Sequence, residues 1–128
     1  MRTVLVVDDK PHARYSMARP LAHAGFDVRE TATGRDVLRL ARLQIDAIVL
    51  DIVLPDIDGY EVLRRLKADP ATSNIPVILK TAIHIEDGDR QRALGAGAAA
   101  YFAEPFDPQA LIAAVRRVVG GDGSPPPA

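Results

Sequence analysis

The sequence predicts an α/β domain built on a parallel sheet with helices on both faces. Two observations lead to this class. Short apolar runs of the kind found in strands buried on both faces recur along the chain, and stretches with helical spacing of apolar residues lie between them. Five such strand–helix pairs alternate within 128 residues, the size of one domain.

The first two units occupy residues 3–43. The apolar run 3–7 predicts a strand buried on both faces, and residues 11–24 predict a helix. Residues 26–30 alternate like an edge strand. Thr33 then starts a second helix, with Asp36 three residues later as in a capping box. The inner face of this helix is expected to contain Leu38, Ala41 and Leu43.

Three more units complete the domain. Strands are predicted at residues 47–50, 76–79 and 98–102, and helices at 60–68, 86–94 and from Pro108 onward. Asp107 precedes that proline as a strong N-cap. We expect the domain to comprise residues 1–119. Residues 120–128, rich in Gly, Ser and Pro, should form a flexible tail or linker.

Composition excludes several classes of function. The formal net charge is −1, from 16 basic and 17 acidic side chains, so no electrostatic footprint for direct binding to nucleic acid is present. No apolar run approaches the roughly 20 residues of a membrane span. With zero cysteines, the chain cannot form disulfides, thiol nucleophiles or zinc–thiolate sites. Cytoplasmic residence is therefore the expectation.

Polar side chains follow several of the predicted strands. Asp8 and Asp9 come after the first, Asp51 ends the third, Thr81 ends the fourth and Glu104 follows the fifth. In open parallel sheets, ligands bind beyond the carboxyl ends of the strands. These five residues should therefore gather at one edge of the sheet.

Clustered carboxylates favour a bound hard cation. Asp8, Asp9 and Asp51 would repel one another unless a metal lay among them, and Mg²⁺ prefers oxygen ligands. A carboxylate beside such a metal can also act as a nucleophile and form an acyl phosphate. The alternative is that each acid is a helix cap or a solvated loop residue, which is common for any one alone. Their joint position at strand ends favours the metal site.

Four ordered motifs resemble the receiver domains of two-component response regulators. They are residues 4–9, residues 51–59, the pair Thr81-Ala82 and residues 101–106, and the resemblance covers about residues 3–119. It implies a flavodoxin-like (βα)₅ fold with strand order 2-1-3-4-5. It also implies a phosphoacceptor at Asp51, which would take phosphate from a histidine kinase, a phosphotransfer protein or a small phosphodonor.

The resemblance implies roles for further residues by position. Asp9, Asp51 and the backbone carbonyl of Val53 would ligate Mg²⁺, and Asp8 would act through a metal-bound water. Thr81 matches the phosphate-sensing hydroxyl, and Tyr101 matches the aromatic switch.

One position departs from the family pattern. Glu104 stands where the family has a lysine that binds the phosphoryl group, and Lys80 stands where the family has an apolar residue. Lys80 could pair with Glu104 or supply the missing positive charge. Strand alternation argues against the second role, because residues 80 and 81 should point to opposite faces. A lysine stem can still extend around a strand end, so a phosphate contact by Lys80 stays open.

We therefore expect a phosphorylation switch without enzymatic turnover. Its partners would be a histidine kinase or phosphotransfer protein and an output partner that the sequence does not identify, with a homodimer as a further candidate. A pseudo-receiver that acts as a phosphorylation-independent interaction module is the alternative, and Glu104 favours it. A small Mg²⁺-dependent phosphatase is a weaker reading, since no second catalytic acid is evident.

Overall fold

The computed structural model describes residues 1–82 and 88–120. Within them, five strands form one parallel sheet in the order β2-β1-β3-β4-β5, which confirms the predicted fold class and strand order. The strands are β1 Thr3–Val7, β2 Asp27–Thr31, β3 Ala47–Asp51, β4 Val77–Thr81 and β5 Ala100–Ala103. The helices are α1 Pro11–His23, α2 Gly34–Leu40, α3 Gly59–Ala68, α4 Asp89–Gly95 and α5 Pro108–Gly120.

Alternation along the strands divides the core between the two faces of the sheet. Val4 and Val6 of β1 pack with residues of α1 and α5, whereas Leu5 and Val7 pack with residues of α2, α3 and α4. Strands β1, β3 and β4 are buried along their whole length. None of the helices in the described ranges combines the length and apolar character that a membrane crossing requires.

Helix α2 shows where the sequence pattern was read correctly and where it was not. Thr33 caps the helix as predicted, because its side chain accepts a hydrogen bond from the N–H of Asp36 at 3.2 Å. Ala41 is buried, but Leu43 is 50% exposed, so its predicted inward orientation is wrong. The helix ends at Leu40, and the turn that follows breaks the helical periodicity before Leu43 is reached.

Several element boundaries also differ from the prediction by one to three residues. The described part of α4 begins at Asp89, after Gly88 with a φ of 101°, while residues 83–87 lie outside the described residues. Helix α5 extends to Gly120, one residue into the predicted tail, and residues 121–128 also lie outside the described part.

Candidate functional site

Two carboxylates and one ammonium group lie side by side at the carboxyl end of the sheet. Val7 of β1 pairs with Leu50 of β3, and Asp51 of β3 pairs with Lys80 of β4. Asp8, one residue beyond β1, therefore lies beside Asp51. Because alternate strand residues point to opposite faces, all three side chains belong to the face that packs against α1 and α5.

The loops that follow the strands hold the carboxylates with backbone N–H groups. Lys10 donates to Asp8 Oδ1 at 2.9 Å, and Val53 donates to Asp51 Oδ1 at 3.2 Å. Asp8 is fully buried and Asp51 is 2% exposed, whereas Asp9 is exposed. One oxygen from each of Asp8, Asp9 and Asp51 lies within 4.8 Å of the others. The fold thus brings together the three acids that the sequence places at strand ends.

Lys80 reaches into this group of acids. Its Nζ lies 2.5 Å from Asp8 Oδ2, 2.7 Å from Glu104 Oε1 and 3.9 Å from Asp51 Oδ2. Among the described residues, Asp8 Oδ2 has no hydrogen-bond partner besides this ammonium. The Lys80 side chain is 1% exposed. A buried ammonium is therefore enclosed by carboxylates from three other strands or the loops that follow them.

The expectation that alternation would keep Lys80 away from the acids is wrong. Lys80 and Thr81 do occupy opposite positions in the pleat, but Lys80 is the one that shares its face with Asp51, its register partner in β3. Glu104 reaches the same group from beyond β5, and its N–H donates to the carbonyl of Thr81 at 2.8 Å. The prediction was wrong because it assumed that Thr81, and not Lys80, lies on the face of the sheet that carries the acids.

The charges in this group shift one another's protonation. Burial raises the pKa of Asp51 to about 6, although the charge of Lys80 and the N–H of Val53 limit the rise. Burial also opposes the charge on Lys80, but its hydrogen bonds to Asp8 and Glu104 outweigh that effect and hold the pKa of Lys80 above its ordinary value. At neutral pH the ammonium is charged, and most Asp51 carboxyl groups are ionised.

The available donors fit a hard cation such as Mg²⁺. Every candidate ligand in the group of acids is an oxygen, and Mg²⁺ binds through one or two carboxylates while keeping water or phosphate oxygens at its other positions. Both oxygens of Asp8 already have protein partners, the Lys10 N–H and the Lys80 ammonium. Asp9 and Asp51 are therefore the carboxylates best suited to direct ligation, and Asp8 is better suited to contact through water.

The loop after β3 approaches its own strand so closely that a glycine is required. A Cβ on Gly59 would lie 2.5 Å from the carbonyl oxygen of Asp51 and 2.6 Å from Cα of Ile52. Asp56 in the same loop accepts a hydrogen bond from the N–H of Gly34 at 2.9 Å and so caps α2. Both residues belong to the motif of residues 51–59, but the sequence predicted neither contact. A glycine directly before a predicted helix was the available signal for Gly59, whereas the partner of Asp56 is 22 residues away.

Comparison with known proteins identifies the family. A model of the response regulator receiver domain matches residues 4–116. The chain belongs to this family. RpaA of Synechocystis, a DNA-binding dual master transcriptional regulator, is 36% identical over 120 residues, which cover 93% of this chain and 49% of RpaA. The receiver domain thus spans about half the length of that relative.

Two further relatives match the receiver domain over nearly all of their own length. PilH of Pseudomonas aeruginosa is 33% identical over 124 residues, covering 94% of this chain and 100% of PilH. The solved receiver domain of the sensor histidine kinase PA1611 from the same species is 33% identical, with a TM-score of 0.83 and coverage of 93% and 98%. That structure holds a magnesium ion coordinated in its active site cleft. These relatives give the pseudo-receiver alternative no support over the phosphoacceptor reading.

The two residues that resemble the switch pair of receiver domains are both buried. Thr81 is 3% exposed at the end of β4, and Tyr101 is 2% exposed in β5. Tyr101 packs in the core on the face of α2, α3 and α4, where burial raises its pKa. Thr81 and Tyr101 lie on the neighbouring strands β4 and β5, and Tyr101 belongs to the same core cluster as Ala93 of α4.

Proposed function

We propose that this receiver domain is a phosphorylation switch in which Asp51 accepts a phosphoryl group with the help of Mg²⁺. The observation that carries the proposal is the convergence of Asp8, Asp9 and Asp51 at the carboxyl end of the sheet, with the buried Lys80 ammonium beside Asp8 and Asp51. A histidine kinase or a phosphotransfer protein would supply the phosphoryl group, and an output partner would read the modified state. The proposal includes a cytoplasmic location and no turnover of substrate.

Asp51 would act as the nucleophile. One of its carboxylate oxygens forms a bond to phosphorus, the bond between phosphorus and the donor's leaving atom breaks, and the electron pair of that bond stays with the donor. The product is an acyl phosphate on Asp51. Attack requires the ionised carboxylate, and a pKa of about 6 makes this the main form at neutral pH while keeping the oxygen basic.

Asp9, Asp51 and the backbone carbonyl of Val53 would hold Mg²⁺, with Asp8 acting through water. The bound cation would supply positive charge that offsets the charge on the transferred phosphoryl group. The N–H of Val53 orients Asp51, and the N–H of Lys10 orients Asp8. The protein's own contribution is thus a set of oriented oxygens, of which those of Asp8 and Asp51 are shielded from water.

Lys80 would take the role that the family assigns to the lysine at the position of Glu104. Its ammonium carries three N–H donors and lies 3.9 Å from Asp51 Oδ2, so a phosphoryl oxygen on Asp51 would come within its reach. The Thr81 hydroxyl would sense the same group, and Tyr101 would couple the site to the neighbouring surface as the aromatic switch. Each of these three roles belongs to the proposal.

Incubation with acetyl phosphate and Mg²⁺, followed by intact-protein mass spectrometry, tests the proposal. We expect the mass of one HPO₃ to be added to the wild type and nothing to be added to Asp51→Asn. Chelation of Mg²⁺ by EDTA should prevent the reaction. Modification of Asp51→Asn to the same extent as the wild type would move the acceptor elsewhere. An unmodified wild type that also fails to bind Mg²⁺ would favour the pseudo-receiver reading.

A further inference from the structure

We propose that Glu104 is an internal competitor for Lys80, holding its ammonium until a phosphoryl group on Asp51 displaces it. The inference rests on the proposed function of Asp51 and adds a regulatory step to it. Lys80 Nζ is 2.7 Å from Glu104 Oε1 and 3.9 Å from Asp51 Oδ2. In the unphosphorylated protein the ammonium is therefore hydrogen-bonded to Glu104, whereas its contact with Asp51 is a longer ion pair.

Negative charge is already concentrated around Lys80 before phosphorylation. Asp8, Glu104 and Asp51 lie 2.5, 2.7 and 3.9 Å from its ammonium, and Asp9 lies beside Asp8 and Asp51. A phosphoryl group adds further negative charge in the same place. Even beside a bound Mg²⁺, like charges a few ångströms apart repel one another where water is scarce, and this repulsion favours the departure of one carboxylate from the ammonium.

Glu104 is the partner that can leave at the lowest cost. Asp8 is fully buried and its Oδ2 depends on Lys80, so its separation from the ammonium would strand a charge away from water. The side chain of Glu104 is 31% exposed and lies beyond the end of β5, where water can solvate the freed carboxylate. The exchange therefore replaces the Lys80–Glu104 contact and preserves the Lys80–Asp8 contact.

Displacement of Glu104 changes the charge at a neighbouring cavity. Glu104 lines a cavity of about 310 Å³ together with His12, Met17 and Phe106, between α1 and the loop that precedes α5. When Lys80 turns to the phosphoryl group, the carboxylate of Glu104 is no longer neutralised at this cavity. The Lys80–Glu104 pair thus opposes phosphorylation of Asp51. Its separation on phosphorylation changes the charge at the α1–α5 side of the domain.

Equilibrium binding of beryllofluoride, a mimic of the phosphoryl group, tests the exchange. The dissociation constant in Mg²⁺ is measured by ¹⁹F NMR for the wild type, Glu104→Gln and Glu61→Gln. Glu61 is a matched control, because its side chain is 34% exposed and pairs with arginines on α3. We expect Glu104→Gln to bind about tenfold more tightly than the wild type, because removal of the carboxylate ends both the competition and the repulsion. Glu61→Gln should bind like the wild type.

The outcomes separate the inference from the proposed function. If none of the three proteins binds beryllofluoride, the phosphoacceptor site itself is refuted. If the wild type binds and folded Glu104→Gln binds with equal or lower affinity, the competition is refuted while the site stands. Should Glu104→Gln fail to fold in thermal melts, Glu104→Asp replaces it, since the shorter side chain has a weaker hold on Lys80.

A crystal structure of the wild-type complex is the second measurement. Persistence of the 2.7 Å contact between Lys80 and Glu104 in that complex would overturn the exchange.

Discussion

The two halves of the site solve the same electrostatic problem in different ways. On the β1–β3 side, Asp8 and Asp51 stand at strand ends, as the family motifs imply, and N–H groups of the loops that follow orient them. On the β4–β5 side, the expected lysine is replaced by Glu104, and the ammonium comes from Lys80 one strand closer to the acids. Buried acids need a cation nearby, but the strand that supplies it can change when the register brings another position to the same face.

The largest expected effect comes from removal of the Lys80 ammonium. Lys80→Met keeps the buried stem but leaves Asp8 without its ion partner, so we expect a loss of about 3 to 5 kcal/mol of folding free energy in metal-free buffer. The variant should also bind beryllofluoride roughly tenfold to a hundredfold more weakly. Urea unfolding and the ¹⁹F titration measure the two effects.

The double variant Lys80→Met with Glu104→Lys sharpens the comparison between the halves. It moves the ammonium from β4 to the position that the family uses after β5. Binding of beryllofluoride should recover relative to Lys80→Met, since the positive charge returns to the same group of acids. A double variant that folds but binds no better than the single one would show that the strand of origin matters and not the charge alone.

A side chain that clashes with the backbone is the most direct way to disturb the β1–β3 half of the site. In Gly59→Ala the new Cβ would meet the carbonyl of Asp51 at 2.5 Å, a clash with main chain that cannot be relieved by a side-chain rotation. We expect a loss of about 3 kcal/mol in urea unfolding, with weaker Mg²⁺ binding as the loop shifts. Gly95→Ala is the control, because nothing lies within 4 Å of the Cβ position there. Its stability should stay within about 1 kcal/mol of the wild type. Equal stability of the two variants would refute the close approach.

The smallest of these effects is the stability cost of the Asp51 charge. The pKa of Asp51 is about 6 in the folded protein against an ordinary value of 3.8, so the folded state binds this proton more tightly than the unfolded state does. Stability from this group is therefore greatest at low pH and falls as the pH rises from 3.8 to about 6. In metal-free buffer, Asp51→Asn should raise the unfolding free energy by about 2 to 3 kcal/mol at neutral pH.

The pH dependence distinguishes this cost from a general packing effect. The advantage of Asp51→Asn over the wild type should shrink when urea unfolding is repeated at a pH below the ordinary carboxyl value, and Mg²⁺ should stabilise the wild type more than the variant. A constant difference between the two proteins across the pH range would contradict the raised pKa.

Local pattern predicted most of the fold because its causes are local. Apolar runs of three or four residues mark β1, β3 and β4. The side chain of Thr33 lies only three residues from Asp36, whose N–H donates a hydrogen bond to it. Leu43 was predicted incorrectly because the end of α2 is decided by the turn after Leu40, which the apolar spacing does not encode. The sequence also did not predict that Asp56 caps α2, because this hydrogen bond joins segments that are distant in the chain.

The sequence by itself determined the alternation of strands and helices, the strand-end positions of Asp8, Asp9 and Asp51, and the replacement of the family's lysine by Glu104. Tertiary structure alone decided where the ammonium of Lys80 lies. The pairing of β3 with β4 places it beside Asp51, and the sheet face it shares with Asp8 brings it within 2.5 Å of that carboxylate. The physical reason is that contacts between strands depend on register and face together, and both arise when the whole sheet assembles.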